Sequence, residues 1–134
     1  MKNKILLVDD DKDLADALAM ALRKNDYEVS CTYSGAEARQ WLRKDSPDVI
    51  VLDVMMETDT AGFELAYQIR DSKETSHFKH LSSVPIIILT AIDQVTNSRF
   101  SLNEKESFLP DINEFLTKPI NIDELIEKIE LCVQ

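Results

Sequence analysis

Asp48-Val49-Ile50-Val51-Leu52-Asp53-Val54-Met55-Met56 is the stretch whose reading decides the fold. Four branched apolar residues, Val49 to Leu52, stop abruptly at a carboxylate. A run this short, rich in Val and Ile, suits a strand covered on both faces, as in a parallel sheet. Asp53 then stands at the strand's C-terminal end, where open α/β sheets place their ligand sites.

Working outward from that strand, the same grammar recurs. Upstream, Lys4-Ile5-Leu6-Leu7-Val8 reads as a buried strand that runs into Asp9-Asp10-Asp11, three acids that cannot continue it. A helix follows, with Leu14, Ala17, Leu18, Ala21 and Leu22 at helical spacing and Asp11 or Asp13 as its cap; Asn25-Asp26 ends it. Tyr27 to Thr32 alternates like a second strand. Ser34 and Glu37 make a capping-box pattern for a second helix that turns Ala38, Trp41 and Leu42 inward.

Downstream, Gly62 opens a third helix whose span is marked by Phe63, Ala66 and Ile69 or Arg70. Residues 71–83 read as an extended polar connection. Val84 to Leu89 is a fourth strand ending in Thr90-Ala91. A weak pattern of Val95, Phe100 and Leu102 suggests a short helix within 94–107. Glu114 to Thr117 is the last strand, ending in Lys118-Pro119, and Asn121 caps a final helix with Ile122, Leu125, Ile126, Ile129 and Val133 inward. Strand and helix alternate five times, which predicts a doubly wound α/β fold with a five-stranded parallel sheet, right-handed crossovers and helices on both faces.

Composition excludes other classes. The 134 residues suit one domain over 1–134, with 44% hydrophobic and 30% charged residues. A net charge of -10 argues against direct binding to nucleic acid or an anionic membrane. Cys31 and Cys132 form no CxxC and no disulfide framework, and no run reaches membrane-spanning length, so a cytoplasmic protein is expected. His77 and His80 stand three apart in a polar connection without a third ligand, and read as a solvated loop.

In a parallel sheet the strand ends share one edge. Asp9 and Asp10, Asp53, Thr90 and Lys118 therefore converge, although they are remote in sequence. Three close carboxylates repel one another, so either some take up protons or a cation sits among them. An all-oxygen set suits a hard divalent ion such as Mg²⁺, which normally serves phosphate chemistry. Lys118 offers charge for one phosphoryl oxygen and Thr90 a hydroxyl for another, while Asp53 can attack phosphorus as a carboxylate nucleophile. Singly, each motif is explained as a helix cap or a turn; their joint occurrence at four strand ends is what carries weight.

With these residues in view, the chain resembles the receiver domain of two-component response regulators. The resemblance rests on Ile5-Leu6-Leu7-Val8-Asp9-Asp10, Val51-Leu52-Asp53-Val54-Met55-Met56, Gly62-Phe63-Glu64, Pro85-Ile86-Ile87-Ile88-Leu89-Thr90-Ala91 and Phe115-Leu116-Thr117-Lys118-Pro119, and it spans the chain. It implies the flavodoxin-like strand order 2-1-3-4-5. It implies that Asp53 is the phosphoacceptor, charged by a sensor histidine kinase or phosphotransfer protein, and that the chain is no classical enzyme although it assists its own phosphorylation and dephosphorylation. It implies Mg²⁺ on Asp10, Asp53 and the Met55 carbonyl, with Asp9 contributing through water. Thr90 and Phe115 become a switch pair, Lys118 a phosphate ligand, and Lys118-Pro119 a cis bond.

The chain departs from that pattern at Glu57, where receivers usually carry proline, in longer connections over 71–83 and between Thr90 and Lys118, and at Ser107 to Ile112, which replace a small-residue stretch. Met55 and Ile92, each two residues past a site residue, are apolar and cannot orient a hydrolytic water. A phosphate outlasting seconds at neutral pH is therefore expected, and a polar residue in place of Met55 should shorten its life. Two other readings compete: an interaction module that ignores phosphorylation, against which the intact acid, threonine and lysine set argues, and a magnesium-dependent phosphatase, which lacks its general acid because Met55 stands there. The Met1 start and the lack of a trailing linker favour a stand-alone receiver whose target is a protein that the sequence does not name.

Overall fold

The structure, a computed structural model, describes residues 3–54, 56, 61–71, 78–91 and 113–133. The apolar runs pair as one parallel sheet. Its strands are β1 (Lys4–Val8), β2 (Glu28–Thr32), β3 (Val49–Asp53), β4 (Ile86–Ala91) and β5 (Glu114–Lys118), in the order β2-β1-β3-β4-β5. β3 lies at the centre with all five of its residues buried, as the unbroken apolar run requires. Register sets Leu7 beside Val51 and Val51 beside Ile87, so the strand ends carrying Asp9, Asp53 and Lys118 stack at one edge.

Alternation along the strands feeds two cores. On one face Ile5, Leu7, Val51 and Leu89 pack beneath α1 (Lys12–Lys24) and α4 (Ile122–Val133). On the other, Leu6, Val8, Ile50, Leu52 and Ile88 pack beneath α2 (Gly35–Leu42) and α3 (Ala61–Arg70). Each fully buried Leu or Ile contributes about 1.5–3 kcal/mol, and both faces are lined with them. The doubly wound sheet expected from the alternation is the fold observed.

Local chemistry starts the helices where the sequence indicates. Of the two candidate caps for α1, Asp11 serves, its side chain accepting from the Leu14 N–H at 3.1 Å. Ser34 accepts from the Glu37 N–H at 3.1 Å, and Asn121 from the Glu124 N–H at 3.1 Å. Asn25 caps the end of α1, after which Asp26 takes a left-handed φ of 71°.

Some expectations need correction. The buried stripe of α1 is Ala15, Leu18, Ala19 and Leu22, and Ala17 is exposed. Alanines at 15, 17, 19 and 21 made two stripes equally apolar, and packing on the sheet chose between them. β2 begins at Glu28, because the Tyr27 N–H still bonds back to the Leu22 carbonyl of α1. The connection after α3 is not wholly extended: Phe78 and Leu81 are buried in the second core, around a short 3₁₀ turn at Lys79–Leu81. Trp41 is half-buried against that core, as expected of a packing residue. The suggested helix within 94–107, Glu57, Met55, Ile92 and His77 lie outside the described residues; His80 is exposed.

Candidate functional site

The carboxyl edge of the sheet gathers the predicted residues from four strands. Asp9 follows β1 and is fully buried; Asp10, next to it, is exposed. Asp53 closes β3 and is 4% exposed. Ligand oxygens of Asp9, Asp10 and Asp53 lie within 4.8 Å of one another. Lys118, the last residue of β5, reaches across two strands: its Nζ is 3.2 Å from Asp9 Oδ2 and 3.4 Å from Asp53 Oδ1. The Lys118-Pro119 bond is cis, as expected.

Backbone geometry aims these groups. Asp9 Oδ1 accepts from the Asp11 N–H at 2.9 Å, so the residue that caps α1 also holds Asp9. The other oxygen, Oδ2, faces Lys118 but accepts no well-aligned hydrogen bond although it is buried. Behind Asp53 the chain is braced by α3. The Gly62 N–H donates to the Val54 carbonyl at 2.8 Å, and a Cβ on Gly62 would lie 2.1 Å from the Asp53 carbonyl oxygen.

Electrostatics follow from this crowding. Burial first, and the charge of Asp9 second, push the Asp53 carboxyl up to about 7, against the pull of Lys118. For Lys118 burial acts to lower the pKa, but Asp53 and Asp9 outweigh it and hold the ammonium above its ordinary value. The net result is an acid pair balanced by one cation, with the Asp53 carboxyl held well above its ordinary range.

Thr90 and Phe115 form a second layer on the other face. Thr90 is fully buried at the end of β4, its hydroxyl donating to the Ala91 carbonyl at 3.3 Å. Phe115 pairs with Ile88, two residues before Thr90, and packs half-buried against the second core. The two therefore sit diagonally on neighbouring strands of one sheet face. Met55, the third expected metal ligand, lies outside the described residues. Sequence reasoning missed Gly62 as a brace and Asp11 as the residue that aims Asp9; the glycine before Phe63 and the third consecutive acid were their only signals. A cleft of about 680 Å³ bounded by Asp16, Met20, Arg23, Lys24, Cys31 and Tyr33 includes none of the edge residues and lies against α1 and β2.

A doubly wound parallel sheet with clustered acids and a lysine at its carboxyl edge defines an α/β domain equipped to hold a hard cation beside an anion. The family model described as the response regulator receiver domain matches residues 5–130. The receiver domain of a Francisella response regulator is 30% identical, with a TM-score of 0.77 over 98% of this chain and 97% of that one. A response regulator receiver domain protein from Methanospirillum hungatei is 25% identical, with a TM-score of 0.77 over 99% of this chain and 94% of that one. NtrX from Brucella abortus shares the fold at 20% identity and a TM-score of 0.79, over 99% of this chain but 27% of that one. The chain belongs to the response regulator receiver domain family of two-component systems, a family of signalling modules rather than classical enzymes. No helix among the described residues is long and apolar enough to cross a membrane.

Proposed function

We propose that residues 1–134 form one receiver domain in which Asp53 is the phosphoacceptor, taking a phosphoryl group from a histidine of a sensor kinase or phosphotransfer protein in the cytoplasm. The observation that carries this reading is the Lys118 ammonium 3.4 Å from the buried Asp53 carboxylate, inside a cluster of three acids. In the reaction an Asp53 oxygen forms a bond to phosphorus as the bond from phosphorus to the donor's ring nitrogen breaks. The nitrogen leaves with the electron pair and takes up a proton. Lys118 holds positive charge beside the equatorial oxygens, and Thr90 offers a hydroxyl from β4. Phosphorylation then draws Thr90 toward the new charge and turns Phe115 inward, changing the surface offered to a downstream protein.

The donor set fits Mg²⁺: three carboxylates, no nitrogen or sulfur, and a buried Asp9 Oδ2 that the Lys118 ammonium faces without a well-aligned hydrogen bond. Asp10 and Asp53 would hold it with the Met55 carbonyl, and Asp9 through water. When bound, the ion neutralises charge that builds up on the phosphoryl oxygens. Asp9 in turn remains aimed by the Asp11 N–H and paired with Lys118.

The test is incubation with acetyl phosphate and Mg²⁺ followed by intact mass. The wild type is expected to gain one phosphoryl group, and Asp53→Asn none. A wild type that stays unmodified, or an adduct that persists in Asp53→Asn, sinks the proposal.

A further inference from the structure

Lys118 reaches the site only if β5 stands in the right register, and β5 has little apolar burial to set it. It is an edge strand, and Leu116 is its one buried residue, whereas the neighbouring β4 buries five. Register is weakly specified where few side chains are buried. Yet a slip of one residue moves Lys118 by about 3.3 Å and turns it to the other face, which breaks both of its carboxylate contacts.

The base of β5 carries a device that supplies what burial does not. The Asn113 N–H donates to the Ile86 carbonyl at 3.0 Å, and the Ile86 N–H donates to Asn113 Oδ1 at 2.9 Å. One residue thus satisfies both backbone groups of Ile86, one pair before the first register pair of Ile87 with Glu114. The same Oδ1 accepts from Arg70 Nη2 at 2.9 Å. Arg70 ends α3, and its Nη1 also donates to the carbonyls of Ser82 and Val84, on the chain entering β4. A charged donor shared among three acceptors makes this a stiff joint. It ties the base of β5 to β4 and to the helix whose other end abuts Asp53.

We infer that Asn113, braced by Arg70, is a positioning residue for Lys118: it pins the register of β5 from the opposite end of the sheet. The inference rests on the phosphoacceptor reading of Asp53. Asn113 touches no reacting group, so its effect must pass through Lys118. Asn113→Asp keeps the acceptor oxygen and the partner Arg70, and conserves the pin.

The experiment compares initial rates of acetyl-phosphate phosphorylation at saturating Mg²⁺. Asn113→Ala is expected to lower the rate by about ten- to a hundredfold, the upper value being the scale of a group misplaced by an ångström. Asn113→Asp is expected to retain it. In a Lys118→Met background, Asn113→Ala is expected to cost nothing further, and its Mg²⁺ affinity is not weakened, because the acids come from β1 and β3. Hydrogen exchange reads the pin without phosphorylation: amides 114–118 exchange faster in Asn113→Ala while those of β1 and β3 do not change. An unchanged rate, an equal loss in the Lys118→Met background, or unaltered exchange at 114–118 overturns the inference. A wild type that takes no phosphate defeats the function reading instead, and leaves the exchange result to decide the pin.

Discussion

Gly62→Ala is expected to destabilise the domain by about 2–4 kcal/mol, the upper range for forcing atoms into a packed interior. Helix propensity alone predicts the opposite sign, since alanine is favoured over glycine by about 0.5–1 kcal/mol in a helix. Geometry decides the outcome. The added Cβ would stand 2.1 Å from the Asp53 carbonyl oxygen, 2.7 Å from the Val54 Cα and 2.9 Å from the Asp53 carbonyl carbon. All three are backbone atoms of the central strand's end, so no rotamer relieves the contact. Either α3 lifts, losing the Gly62 to Val54 hydrogen bond and packing of Leu65, Ala66 and Ile69, or the Asp53 backbone moves. Both displace the phosphoacceptor from Lys118. Urea unfolding measures the first effect, and acetyl-phosphate labelling of the folded fraction the second. Equal or raised stability in Gly62→Ala contradicts the account.

The same contact shows what a sequence discloses and what it withholds. β1, β3 and β4 were legible because unbroken apolar runs ended in polar residues, a local signal. The meeting of Asp9, Asp10, Asp53 and Lys118 followed from parallel strands alone, since parallel strands share an edge. Gly62 was legible as a helix start, but its role depends on how closely α3 approaches β3, a distance no local pattern encodes. Phe78 and Leu81 were hidden because isolated apolar residues in a polar connection have no period. Arg70 and Asn113 read as ordinary polar residues at element ends; apart from their own side-chain contact, their joint is made with backbone groups of Ser82, Val84 and Ile86, which leave no mark in the sequence. The face of α1 was ambiguous for the opposite reason, with small residues on too many sides.

The raised Asp53 pKa predicts an unusual pH dependence for metal-free protein. The folded state binds a proton at Asp53 more tightly than the unfolded chain, whose value is near 3.8, because burial and Asp9 push the folded value to about 7. From about pH 4 to pH 7 the native state therefore holds more protons, and this group's stabilising contribution falls as pH rises. It is fully present below the unfolded value and gone above the folded one. The full shift would correspond to about 4 kcal/mol, and sharing of charge with Lys118 and Asp9 reduces the expected contribution to about 1–3 kcal/mol. In EDTA, wild type and Asp53→Asn should have similar stabilities near pH 4, where both side chains are neutral. The variant should be the more stable by about 1–3 kcal/mol at pH 8. Other carboxylates titrate in both proteins, so the difference between the two curves is the quantity that isolates Asp53. Saturating Mg²⁺ at pH 8 should then raise the wild type more than the variant, because the ion takes the place of the proton and needs the charged carboxylate. Two curves that stay parallel from pH 4 to pH 8 would show that Lys118 alone neutralises the site, and would remove the electrostatic reason for a cation there.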